Sequence, residues 1–178
     1  MLTECGLTKV QNDAGGEWVF RPCFARIAEL GRPHEIVELF ADLHGPRGLS
    51  AARYILHTLC DTPAHDLTGW LDGTTWHDGS MPQSEQIIVA AHLMRHGICG
   101  TAKTGKGEFQ PEFKASEYIA SAVVHFGMTQ AEAGELSMTQ FQELFAQKFP
   151  EAVKQAPPTR DEYKKFMAEI AKKQKGAK

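Results

Sequence analysis

The sequence predicts a mainly α-helical protein, a helical bundle with a small β-hairpin at its N-terminus. Three observations carry this. Apolar residues recur at helical spacing from Cys23 onward. Three pairs, Thr129 with Glu132, Ser137 with Gln140 and Thr159 with Glu162, have the spacing of a capping box. In such a box the hydroxyl accepts from the helix's third amide while the Glu or Gln side chain accepts from the cap residue's own amide. Finally, the only extended runs divided by a cluster of turn-formers lie at the start of the chain. The predicted division is a β-hairpin over 1–22 packed on the bundle, a helical domain over 23–150, and a linker with a C-terminal amphipathic helix over 151–178.

The hairpin pairs Leu2 to Val10 with Glu17 to Arg21 around Gln-Asn-Asp-Ala-Gly-Gly. A short helix follows over Cys23 to Leu30 and stops at Gly31. Pro33 then suits the first turn of a second helix, where its missing amide costs nothing, and Ile36, Val37, Phe40 and Leu43 form that helix's buried stripe before Gly45-Pro46 ends it. The next helix runs from about Leu49 to Cys60, with Leu49, Ala52, Ile55, Leu56 and Leu59 on one side. Asp61 to Met81 is the least regular stretch. Its Trp70 and Trp76 are expected to pin the loop to the helices, the other reading being a recognition surface. Pro82 opens a long helix through Ile87, Ile88, Val89, Ala90, Ala91, Leu93 and Met94, apolar on most sides and so expected at the centre of its domain.

A further helix, framed by Tyr118 and Phe126, has Ile119, Ala120, Val123 and Val124 as its apolar side. The tight helical hairpin of His125 to Phe149 comes next, with Gly127 and Gly134 as helix stops and Met138, Phe141, Leu144, Phe145 and Phe149 on one aromatic face. Pro150 and Pro157-Pro158 break the helix. The last helix carries Tyr163, Phe166, Met167 and Ile170 on one stripe among many lysines, and a helix of roughly a dozen residues is marginal unless that stripe finds a surface.

Composition narrows the function classes. A chain of 178 residues with formal net charge -3 is not built as a whole to hold nucleic acid. No apolar run approaches the roughly 20 residues that span a bilayer, and the start of the chain lacks the layout of a signal peptide, so a cytosolic protein is expected. Cys5, Cys23, Cys60 and Cys99 are widely spaced, which suits reduced and mostly buried thiols.

Motifs for chemistry are thin. Gly100 to Lys106 fits G-x-x-x-x-G-K, but Gly107 stands where a phosphate loop needs Ser or Thr, and no strand precedes it; a mildly basic connector is the better reading. His57, Cys60, His92, His96 and Cys99 could supply nitrogen and sulfur to a structural zinc ion, because His92 and His96 share a helix face and His57 lies about a turn from Cys60. Buried thiols that bind nothing explain the same cysteines, so no metal and no other cofactor is expected. Asp61, His65, Asp66, Asp72, His77, Asp78 and Ser80 crowd one loop-rich region, yet no spacing singles out a triad and no Gly-x-Ser-x-Gly elbow occurs. The protein is therefore not expected to be an enzyme.

The hairpin pattern Gly-Met-Thr-x-x-Glu followed by Leu-Ser-Met-Thr-x-x-Phe-x-x-Leu resembles the C-terminal part of tail assembly chaperones from long-tailed bacteriophages and prophages. The run Trp18 to Phe40 resembles the opening of proteins in that group, with a short hairpin, an Arg-Pro step, a helix ending at Gly and a second helix. The resemblance implies a protein of the host cytoplasm that binds the tape-measure protein, covers its apolar segments and assists assembly of the tail tube protein around it. It implies self-association and a frameshifted longer form, for which the Lys-rich end would suit a slippery codon run. Phe141, Phe145 and Phe149, with Tyr163, Phe166, Met167 and Ile170, are the expected partner-binding side chains. Two alternatives stand beside it, a minor structural or tail-completion protein of the virion and a zinc-stabilised helical binding module.

Overall fold

The computed structural model describes residues 4–12, 15–101 and 110–150. The chain is mainly α-helical, with eight α-helices and two small antiparallel hairpins among the described residues. It forms two compact units, Met1–Gln142 and Glu143–Lys178. The predicted C-terminal helix, with its Thr159 capping box, lies outside the described residues.

In the first unit, β1 (Thr8–Gln11) pairs antiparallel with β2 (Glu17–Phe20), Val10 opposite Trp18. Alternation along β2 sends Trp18 and Phe20 into the core and Glu17 to solvent. Asn12 closes the turn by accepting the Gly16 amide on its side chain at 2.7 Å. A 3-10 turn, Glu4–Gly6, occupies part of the stretch predicted as strand. The hairpin is fastened to residues 59–63: the Arg21 amide donates to Leu59 O and the Asp61 amide to Val19 O, both at 2.9 Å, and the Trp18 indole donates to Pro63 O at 3.2 Å.

α1 (Phe24–Ala28) and α2 (Pro33–Asp42) follow as predicted, with Pro33 in the first turn and Glu35 accepting the Arg32 amide at 2.7 Å. α3 (Gly48–Leu59) buries Ala51, Ala52, Ile55, Leu56 and Leu59, and packs along α5 (Gln83–Met94) in the most extensive helix pair of the unit. Arg26 holds the end of α3, donating to Cys60 O at 2.8 Å and pairing with Asp61, which Arg21 also grips at 2.8 Å. The expectation that α5 is apolar on most sides and central holds only in part: Ile88 is 60% exposed, and the buried side includes Gln86. Gln86 is satisfied there: it donates to Met81 O at 2.9 Å and accepts from Arg53 at 3.3 Å, as a buried amide must.

The stretch Asp61 to Met81 is more ordered than its sequence suggests. A short helix α4 (His65–Thr68) leads into β3 (Trp70–Asp72) and β4 (Thr75–His77), a second hairpin joined across Gly73-Thr74. A glycine at the first loop position, Gly73 with φ 59°, between short β-prone runs is its signal. Gly79 then passes so close to the backbone of Leu67 that any Cβ would strike it.

α5 ends in a π-helical turn, Arg95–Cys99, in which Gly97 lies close to Ile27 and Pro22. Beyond 102–109, Phe113 enters the core and leads to α6 (Ala115–Phe126), α7 (Gln130–Gly134) and α8 (Met138–Lys148). Phe24, fully buried, stacks on Tyr118 with ring centres 5.5 Å apart and meets Phe141 at 6.0 Å and Phe113 at 6.3 Å. Replacing this ring leaves a cavity that surrounding rings cannot close. Phe24→Ala should lower unfolding free energy by about 3–5 kcal/mol in a urea titration, with Phe24→Leu losing distinctly less.

Candidate partner-binding surface

Two faces of α6 are apolar, and only one is buried. Ala115 and Ala122 face inward, and the Tyr118 and Phe126 rings join Phe141, with centroids 5.6 and 5.7 Å from it. Residues two positions on from these turn about 200° away on a helix. Ala120 and Val124 therefore face outward, and Val124 is 76% exposed. Ile119 and Val123 are half-buried beside them. With Ser116 and Gln130 these four line an open groove of about 390 Å³.

The groove's end is set by the capping signals. Gly127 adopts the left-handed conformation (φ 69°) and its amide donates to Val123 O, which stops α6 and turns the chain. Thr129 then starts α7: the Glu132 amide donates to the Thr129 hydroxyl at 3.2 Å, and the Thr129 amide donates to the Glu132 carboxylate at 2.8 Å. That bond to the Thr129 amide, with a second from its hydroxyl, holds the Glu132 carboxyl below its ordinary value. The Ser137–Gln140 box forms in the same way, at 2.9 and 3.3 Å. Gly134 departs from expectation. It is the last residue of α7 and has no left-handed backbone; it sits buried opposite Ala25, and Glu135 ends the helix in ordinary helical geometry.

Phe141 is buried in the core cluster at 8% exposure, so no partner reaches it, because the same periodicity that marks a docking stripe also marks a core stripe. Phe145 and Phe149, in the second unit, are half-buried and stack on each other with centroids 4.9 Å apart. Tyr163, Phe166, Met167 and Ile170 lie outside the described residues. The groove residues Ile119, Ala120, Val123 and Val124 are legible in the sequence as the apolar side of this helix.

The candidate histidines lie in two separate ring pairs, one of them made with His65. The His57 ring lies 4.8 Å from His65 and its Nε2 meets the Thr68 hydroxyl at 2.9 Å; the His92 ring lies 4.5 Å from His96, whose Nδ1 meets the Thr139 hydroxyl at 2.8 Å. Cys60 is buried and Cys99 exposed, and neither forms a disulfide. Among the described residues no group of three or more His, Cys, Asp and Glu is arranged to hold a metal ion, so His57, Cys60, His92, His96 and Cys99 do not converge. In the loop-rich region, Asp61 is paired with Arg21 and Arg26, Asp78 with Arg53, and the Ser80 hydroxyl donates to Asp66 O. Gly100 follows the π turn of a helix and not a strand, and most of the Gly100 to Lys106 stretch lies outside the described residues.

No described helix is long and apolar enough to cross a membrane. The chain belongs to a family of unknown function (DUF6246), whose family model matches residues 45–165, more than half its length and the whole stretch from α3 to α8. No curated protein and no solved structure matches it.

His57 and His92 are both held below the ordinary imidazole value, first by burial and then by their neighbours, His65 for one and His96 and Arg95 for the other. With folded values lowered, the unfolded chain takes up protons first. Stability present above about pH 6.5 should therefore be lost as the pH falls through the lowered values. Thermal midpoints measured between pH 7.5 and 5 should decline, and the double variant His57→Gln, His92→Gln should flatten that decline.

Proposed function

We propose that this chain is a non-catalytic tail assembly chaperone of a long-tailed bacteriophage or prophage, working in the host cytoplasm on the tape-measure protein. The sequence resemblance supplies the class. The observation that carries the reading is the open face of α6, where Val124 is 76% exposed and Ile119 and Val123 flank it on a rigid helix. Covering one such side chain fully contributes about 1.5–3 kcal/mol, so a single groove holds a client weakly and reversibly. Several copies along one long helical client raise the effective affinity without a new contact, which suits self-association. Weak, multiplied and apolar contact keeps a client soluble while leaving it displaceable by polymerising tube protein.

A surface charge placed in the groove separates this reading from a purely structural role. Val124→Asp alters an exposed position and should shift stability by no more than about 0.5 kcal/mol. It should nonetheless abolish co-purification with tape-measure segments when the two are co-expressed. Unchanged co-purification from a folded variant would remove the groove from the mechanism. Mass spectrometry of purified particles should find the chain absent, whereas its presence in stoichiometric amount would make it a virion component.

A further inference from the structure

The second hairpin repeats one small chemical pattern, Trp-x-Asp, as Trp70-Leu71-Asp72 and Trp76-His77-Asp78. One repeat is filled from within the molecule. The Arg53 guanidinium lies 3.8 Å over the Trp76 ring and pairs with the Asp78 carboxylate at 3.2 Å, while the Trp76 indole donates to the same carboxylate at 3.0 Å. Cation–π attraction and a charge-assisted hydrogen bond thus act on one planar cation.

The other repeat lies on the opposite face. Register pairs Trp76 with Leu71, and Trp70 with His77, so alternation puts Trp70 and Asp72 together on the side away from Trp76. Trp70 is 43% exposed and Asp72 is exposed. His77 stacks on Trp70 with centroids 5.0 Å apart and planes within 16°. Residues 61–80 contain four aspartates and no lysine or arginine, and Asp72 forms no ion pair among the described residues. Two of those aspartates, Asp61 and Asp78, already hold arginines.

We propose that the Trp70–Asp72 face is a docking site for an arginine side chain carried by a partner polypeptide. The planar guanidinium stacks on the indole while its edge donates to the Asp72 carboxylate, the arrangement Arg53 makes with Trp76 and Asp78. Arginine suits it better than lysine, because a delocalised planar cation stacks and forks at once and gives up less hydration. The site is independent of the α6 groove and of the chaperone reading.

The test uses the full chain labelled with nitrogen-15, reading the indole N–H resonances of Trp18, Trp70 and Trp76. The probes are Ac-Ala-Leu-Arg-Leu-Ala-amide, the same peptide with neutral citrulline for arginine, and free arginine amide. The arginine peptide should move the Trp70 resonance saturably, the citrulline peptide should bind about two- to five-fold more weakly, and free arginine amide more weakly than the arginine peptide. Asp72→Asn should weaken the arginine response by a similar factor and leave the Trp76 resonance in place. An unmoved Trp70 resonance, equal response to citrulline, or movement of Trp76 in its stead would overturn the site. Equal response to free arginine amide would overturn the polypeptide partner.

Discussion

The burial of Phe24 is the constraint on which the helical arrangement of the first unit depends. Its ring gathers Tyr118 from α6, Phe141 from α8 and Phe113 from the segment before α6 around the start of α1. Aromatic rings add about 0.5–1.5 kcal/mol per well-oriented pair to the area they bury, so a cluster of this size fixes helix rotation as well as position. Once Tyr118 and Ala122 are turned toward Phe24, a helix of 3.6 residues per turn has no choice about Val124. The exposed aliphatic face of α6 is thus the geometric counterpart of the buried aromatic one. A core and a surface with opposite demands share a helix of twelve residues.

Arginine does a different job around α3. Arg21 and Arg26 close on Asp61 beyond the end of the helix, and Arg53 reaches from its middle to Asp78, Gln86 and the Trp76 ring. These partly exposed pairs add little stability singly. What they supply is placement. They set where two small β-hairpins, each too short to stand alone, attach to a helical body. The second hairpin carries its two tryptophans on opposite faces, so fixing Trp76 also fixes the side to which Trp70 is presented.

Much of this was legible in residues whose local rule and global role agree. The two capping boxes at Thr129 and Ser137, the left-handed Gly127, and Pro33 at a helix start are set by hydrogen bonds within a few residues, and they appear where the spacing put them. Face assignment was harder. Phe141 reads as part of a docking stripe and lies in the core, while Val123 and Val124 read simply as an apolar side and line the groove, because periodicity shows that a face is apolar without showing what covers it. The second hairpin was hidden by its length, since three-residue strands give too little alternation to stand out. Gln86 had no signal at all; its burial depends on carbonyls of Thr68 and Met81 that only the folded chain brings near.

The π turn at Arg95–Cys99 has a consequence for how this region tolerates length change. A π turn holds one residue more than the α-helical turn it interrupts. Here that surplus residue phases the chain so that His96 reaches Thr139 and Gly97 nests against Ile27. Removing a single residue from this turn would let α5 continue as a regular spiral and would disturb the contacts the turn makes, including the Cys99 O that accepts from Gln142. Both the length of the turn and the glycine at its centre are therefore held by neighbouring elements.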